Sequence, residues 1–177
     1  MMGEPQELSG KDLSGANLRW ADMRWANLTR ADLTDANLTG ANLTSADLTG
    51  ADITRANLTD ANLTDANLHR ADLTGATLSG VNLSGAYLSD ANLTGAILYG
   101  ATLAGANLRW ADMSHADLTD ADITGANLKE ANLNDAYLTG ADLTKANLTG
   151  ADLTGADLTC VTLTGTIGYT PSTEEQK

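Results

Sequence analysis

The sequence has no phenylalanine, only one cysteine and few basic residues, and each shortage excludes a class of protein. A single cysteine, Cys160, cannot form an internal disulfide framework or a cysteine-based metal cluster. The 23 acidic and 10 basic residues give a net charge of −13. This argues against direct nucleic-acid binding and against an anionic membrane surface, because both need cationic partners. No apolar run approaches the ~18 residues of a membrane span, so we expect a soluble, acidic, cytoplasmic protein.

What the sequence has instead is a period of five residues. Every fifth residue from Leu8 to Leu163 is Leu, Met or Ile. Two residues before each of these, alanine holds every position from Ala16 to Ala156 except Val81. The residue between them is usually Asp or Asn, the residue after the leucine is usually Thr or Ser, and the fifth is most often Gly. We number these places one to five, beginning with the alanine.

A period of five fits neither a regular helix nor a flat strand. On an α-helix, successive leucines would spiral around the axis and leave no apolar face. On a strand they would alternate between the two faces, whereas the alanine and leucine of one pentad, two residues apart, share a face. The chain therefore keeps both inside only if it bends once per pentad, and glycine at place five suits such a corner because it tolerates positive φ.

The repeat A-[DN]-L-x-x resembles the pentapeptide-repeat family over residues 6–165, without an insertion. The resemblance implies an all-β fold: a right-handed quadrilateral parallel β-helix with four pentads per coil, about eight coils and ~39 Å of length. The expected core is a column of leucines that includes Leu28, Leu48, Leu68, Leu88, Leu108, Leu128 and Leu148.

Both ends of the predicted solenoid depart from the repeat. We expect residues 1–5 to form an N-terminal tail, and Gln6 and Lys11 replace the inward alanine as a polar cap would. We expect residues 166–177 to form a C-terminal cap and tail, in which Ile167, Tyr169 and Pro171 fold over the last coil.

An eight-residue segment occurs twice in the chain. The sequence ANLRWADM occupies residues 16–23 and again residues 106–113. Between the copies, Thr77, Tyr87, Ile97 and Thr102 interrupt the Asp/Asn column. One hypothesis is that two shorter repeat proteins were joined near residues 77–104; the alternative is local copying within a repetitive gene.

If four pentads make a coil, residues 20 apart stack and the charge falls mainly on one face. An acidic ladder then runs along that face through Asp12, Asp32, Asp52, Asp72, Asp112 and Asp152. With Asp35 and Asp135 the face carries eight acids against Lys11 and Arg55, a net charge of −6. Some members of the family that the chain resembles mimic DNA and bind DNA gyrase, which makes gyrase a candidate partner. The alternative is that Asp or Asn is simply the residue of place two, and that its charge keeps the coils soluble.

A few large side chains outside the core form a second candidate surface. Ile97 and Tyr99 flank an inward leucine and should point outward, with Tyr137 two coils further along the same face. Such a cluster can mark a protein-partner site. Trp20, Trp25 and Trp110 occupy corners, where packing across the neighbouring backbone is the simpler interpretation.

The sequence predicts no catalytic site, no metal site and no cofactor. His69 and His115 lie on different faces, and the carboxylates are on an open convex surface that nothing shields from water. Threonine columns such as Thr34, Thr54 and Thr74 leave an ice-binding surface as an open alternative. We therefore expect a non-enzymatic structural or protein-interaction rod, monomeric or an end-to-end dimer, whose partner is unidentified; the alternative is an acidic DNA mimic that binds a protein such as gyrase.

Overall fold

The structure, a computed structural model, describes residues 5–170 and forms one continuous right-handed quadrilateral parallel β-helix. The described part contains no helix and no long strand; each pentad contributes one β-bridge residue at place two. Every bridge is parallel and joins residues 20 apart, from Glu7–Asn27 to Asn147–Ile167. One coil therefore contains four pentads, and residues 6–165 make eight coils, as predicted.

The repeat satisfies all five backbone N–H groups of a pentad. In residues 46–50, the N–H groups of places two, three and five donate to carbonyls of the two adjacent coils at 2.7–2.9 Å. The N–H of place one closes the corner on the carbonyl of Leu43 at 2.9 Å. The remaining N–H, that of Thr49, donates to Oδ1 of Asp47 at 3.0 Å. Buried or crowded backbone donors need such partners, so the side chain of place two completes the set.

This hydrogen bond explains why Asp and Asn alternate at place two. Both side chains present an Oδ1 that accepts the N–H two residues later, in an Asx turn. Asn62, for example, accepts from Thr64 at 3.0 Å, and Asp72 accepts from Thr74 at 2.9 Å. Charge at this place is therefore free to vary without a change in backbone geometry.

Every corner residue from Gly10 to Gly165 has positive φ, whether or not it is glycine. The left-handed conformation costs an L-residue about 1–2 kcal/mol, yet Trp20 (φ 58°) and Arg30 (φ 56°) adopt it. The hydrogen bonds on either side of each corner impose this geometry, and place five accordingly tolerates many residue types.

The interior is a dry stack of leucine and alanine. The core leucines named above are no more than 2% exposed, and no polar or charged residue is buried among residues 5–170. In the end coils the inward leucines are only half-buried, as shown by Leu8, Leu13, Leu158 and Leu163. Each coil therefore depends on its neighbours to cover its apolar layer.

The two ends are finished differently. At the start, the Gln6 amide donates to the carbonyl of Asp22 at 3.0 Å, across the first coil. At the other end, Tyr169 packs against the core, whereas Ile167 does not fold over the last coil as expected. Its backbone continues the ladder by bonding to Ala146 at 2.9 Å, which turns the side chain outward. Pro171 lies outside the described residues.

Candidate functional site

The four faces of the rod are named here by their place-two residues. Face A carries positions 12, 32, 52 and onward; face B carries 17, 37, 57; face C carries 22, 42, 62; and face D carries 7, 27, 47. Faces A and C lie on opposite sides of the coil, as do faces B and D.

The acidic ladder forms one column on face A. Successive bridges join Asp12, Asp32, Asp52 and Asp72 without interruption. Beyond them the column continues through Asn92, Asp112, Asn132 and Asp152. In the second half of the column, Asn132 Nδ2 donates to Asp112 Oδ1 at 3.1 Å.

Hydrogen bonds hold the ladder carboxylates in fixed orientations. Oδ1 of Asp152 accepts from the hydroxyl of Thr154 at 2.6 Å and from its N–H at 2.9 Å. These bonds, led by the hydroxyl, lower the pKa of Asp152 below its usual value, and the hydroxyls of Ser14 and Thr54 do the same for Asp12 and Asp52. Asp12, Asp52 and Asp152 are therefore ionised at neutral pH, and each keeps a second oxygen available to a partner.

The bases on face A do not neutralise the ladder directly. Arg55 forms a two-point ion pair with Asp35 at 2.9 and 2.7 Å, at the corner between faces A and B. Both residues are more than half exposed. Lys11 stands exposed in the first coil.

The structure brings two of the three predicted apolar surface residues together. Ile97 is 42% exposed and Tyr99 is 52% exposed, side by side in one pentad of face B. Tyr137 lies in the same column as Ile97, but Asp117 lies between them. The two residues are therefore two coil spacings apart, about 9.6 Å. Ile97 and Tyr99 thus form the compact part of this surface.

Tyr87 is a large exposed residue that the sequence interpretation did not assign to a surface. It lies on face D, 55% exposed, beside a shallow depression that His69 and Asp47 also line. The sequence could have indicated this exposed residue, because Tyr87 replaces Asp or Asn at place two as Ile97 does.

His69 contacts a serine and an aspartate but does not form a catalytic triad. Its Nδ1 lies 2.9 Å from the Ser89 carbonyl oxygen, 3.1 Å from Ser89 Oγ and 3.6 Å from Asp90 Oδ2. A triad needs the nucleophilic hydroxyl on one ring nitrogen of the histidine and the orienting carboxylate on the other, whereas Ser89 and Asp90 both lie near Nδ1. The arrangement is a local contact between neighbouring coils.

The corner tryptophans pack along the rod. The ring of Trp20 covers the corner at Gly40, one coil further on. The guanidinium of Arg109 lies 4.0 Å from the centre of the Trp110 ring, and that of Arg24 lies 5.2 Å from the Trp25 ring. These contacts support the packing interpretation of the three tryptophans.

The described residues offer little for other chemistry. Residues 5–170 contain no cluster of three His, Cys, Asp or Glu side chains suited to a metal ion, and none of their segments is a membrane-spanning helix. Cys160 is exposed and unpaired by a disulfide. In the threonine columns, the hydroxyls of Thr74 and Thr94 donate to Asp72 and Asn92, so they are engaged within the Asx turns.

Comparison with known proteins agrees with this geometry. The family model for pentapeptide repeats matches in overlapping segments that together span residues 7–167. The chain is similar to HetL, a pentapeptide repeat protein involved in heterocyst differentiation regulation in the cyanobacterium Nostoc sp. strain PCC 7120. The two are 32% identical, with 92% of this chain and 87% of HetL covered and a TM-score of 0.61.

A second solved structure shares the fold at lower identity. A trypsin-treated variant of QnrB1, a plasmid-mediated fluoroquinolone resistance protein, is 20% identical, with a TM-score of 0.68. The match covers 92% of this chain and 89% of that one. No curated protein sequence matches this chain.

Proposed function

The chain belongs to the pentapeptide-repeat family, and on that premise we propose that it is a non-enzymatic rod that binds a protein partner through face A. The observation that carries the proposal is the uninterrupted column Asp12–Asp32–Asp52–Asp72. No other face has four consecutive carboxylates at place two.

The ladder has two properties that favour binding to a cationic surface. Its carboxylates are held by the Asx turns, so fewer rotamers are lost when a partner binds than for free side chains. They also lie on a convex surface in a regular row, where several basic side chains of a partner can each reach one. Such complementarity raises the association rate and selects the partner.

A DNA mimic is the second candidate function, and the same column favours it. A row of carboxylates can occupy a groove shaped for phosphates, and DNA gyrase is the partner to test first. The charge density sets a limit, however: B-form DNA carries one phosphate per about 1.7 Å of its axis, whereas the ladder spaces its carboxylates by about 4.8 Å. A mimic of this density needs additional contacts to match the affinity of duplex DNA.

The test changes charge while the fold stays intact. In the ladder variant Asp32, Asp52, Asp72 and Asp112 become Asn, which keeps the Oδ1 acceptor of each Asx turn. The matched control changes Asp47, Asp117, Asp122 and Asp142 to Asn, the same charge at the same place on the other faces. We expect gyrase supercoiling to be inhibited by the wild type and the control but not by the ladder variant.

Two outcomes would decide between the candidate functions. No effect on supercoiling at about 10–50 µM, a range typical of weak specific binding, would exclude gyrase. Partner capture with the same three proteins then tests the protein-binding rod. Proteins retained by the wild type and the control but lost by the ladder variant support it, and identical capture profiles for all three contradict it.

A further inference from the structure

Glycine corners leave the apolar pair Ile97 and Tyr99 on an unobstructed part of the rod. Side chains at other corners lean onto the next coil; those of Asp60 and Trp20, for example, occupy the space above Gly80 and Gly40. A Cβ built at Gly95 or Gly100, the corners on either side of the pair, meets nothing within 4 Å. Neither corner beside the pair therefore carries a side chain that shields it.

The charges around this pair have one sign. Residues 73–108 contain no Lys or Arg, and Asp90, on face D, is their only charged residue. Across the open corner at Gly95, Asp72 and Asp112 stand in the coils on either side of Asn92. Asp117 follows Ile97 in its own column. An apolar centre is thus bordered by carboxylates, whereas the basic residues of the same coils, Arg109 and Lys129, belong to face D.

We propose that Ile97 and Tyr99, together with Asp72 and Asp112, form the docking surface for a basic amphipathic segment of a partner protein. Apolar side chains of that segment cover Ile97 and Tyr99, and its lysines or arginines reach the carboxylates across the glycine corner. Interfaces commonly combine an aromatic centre with a polar rim in this way. The inference rests on the proposed function, to which it adds the location and chemistry of the contact.

The charge pattern favours such a segment over other occupants. A second copy of this chain would place the same acidic border against itself, which repels. Nucleic acid and anionic membranes are repelled for the same reason. A neutral apolar partner would leave the carboxylates desolvated and without partners, at a cost in binding free energy.

The first experiment uses a fluorescent model peptide with leucines on one helical face and lysines on the other, and a scrambled peptide of equal composition. Binding to the full chain is followed by anisotropy at about 0.15 M salt, where long-range attraction is screened. The double variant Ile97→Asn, Tyr99→Thr restores the residues usual in the repeat, so the fold is retained. We expect it to bind the amphipathic peptide at least tenfold more weakly, as loss of a central aromatic anchor does.

Two matched controls locate the effect. Tyr87→Asn removes a tyrosine of similar exposure from the opposite face and should change affinity by less than about twofold, as a residue outside the contact does. Gly95→Arg blocks the corner beside the pair, whereas Gly105→Arg adds the same side chain to the corner between faces C and D. Both glycines have open space, and Arg55 and Lys145 show that basic residues fit these two corner columns. Only Gly95→Arg should weaken binding.

The outcomes separate this inference from the proposed function. If the scrambled peptide binds equally well, or if Tyr87→Asn and Gly105→Arg weaken binding as much as their counterparts, the docking surface is excluded. If the ladder variant loses binding while the Ile97/Tyr99 variant keeps it, face A remains the contact and the docking surface is wrong. Circular dichroism of every variant confirms that each is folded.

Discussion

The middle of the rod and its flanking coils share a backbone but differ on the outside. Between residues 73 and 108, the glycine corners have φ of 61–67° and the inward leucines are fully buried, as they are in the coils on either side. Thr77, Tyr87, Ile97 and Thr102, which replace Asp or Asn at place two, fall in this segment. Ile97, for example, still donates its N–H to the carbonyl of Ala76 at 2.9 Å. The inward columns and the inter-coil hydrogen bonds are therefore sufficient for the fold. An outward residue that replaces Asp or Asn loses the Asx turn. Where the fold gains nothing in return, a functional reason for the replacement should be sought.

The largest predicted effect tests whether the core is uniform across the two regions. Leu98→Ala in the middle and Leu48→Ala in a flanking coil each remove a fully buried side chain. Each should cost about 2–5 kcal/mol of unfolding free energy, measured by urea denaturation. Leu158→Ala, in a half-buried end layer, should cost less. A much smaller cost for Leu98→Ala than for Leu48→Ala would show that the middle is loosely packed, and would favour the hypothesis of a join near residues 77–104.

An intermediate effect on stability is expected from the Asx turn, which can be removed from a flanking coil and added to the middle of the rod. Asn37→Ala deletes the acceptor that the Thr39 N–H reaches at 3.1 Å, and should cost about 1 kcal/mol. Ile97→Asn supplies such an acceptor to Tyr99 and should stabilise the protein by about 0.5–1 kcal/mol. Thermal unfolding of both single variants measures the difference.

The effects of Ile97→Asn on stability and on peptide binding together decide why Ile97 replaces Asp or Asn at place two. A stabilising Ile97→Asn that also weakens peptide binding would show that the middle gives up stability for its exposed apolar pair. If Ile97→Asn is destabilising instead, Ile97 packs usefully against its neighbours and its presence there is structural.

The sequence predicts the fold well because the repeat leaves few alternatives. The alanine and leucine that recur in every pentad determine which side chains are inside. The family resemblance implies that residues 20 apart stack in adjacent coils. The ladder and the Ile97–Tyr99 pair could be located from that register alone. The open corner at Gly95 could not, because its openness depends on Gly75 one coil earlier and on the direction in which corner side chains lean. The outward turn of Ile167 was also missed, since only the ladder bonds show that the repeat geometry continues past residue 165.

The smallest predicted effect concerns pH, which acts on the aspartates of the flanking coils far more than on the middle, where Asp90 is the only charged residue. Hydrogen bonds lower the pKa of Asp12, Asp52 and Asp152 in the folded state, led by those from Ser14, Thr54 and Thr154. A carboxyl group whose pKa is lower in the folded than in the unfolded state stabilises the protein at any pH above its unfolded-state pKa. This stabilisation is lost as the pH falls through the folded-state pKa. The wild type should therefore lose stability between about pH 5 and pH 2. A variant with these three residues changed to Asn should lose less over the same range.

Urea midpoints of the two proteins at neutral and acidic pH make this comparison, and they also measure a competing force. Successive carboxylates about one coil spacing apart repel each other, and repulsion alone would make protonation stabilising. If the wild type gains stability relative to the triple variant as pH falls, repulsion along face A exceeds the benefit of the Asx hydrogen bonds. The consecutive aspartates would then destabilise the fold, as expected of a surface that is kept for binding. The predicted loss of stability is instead compatible with a structural role for each aspartate.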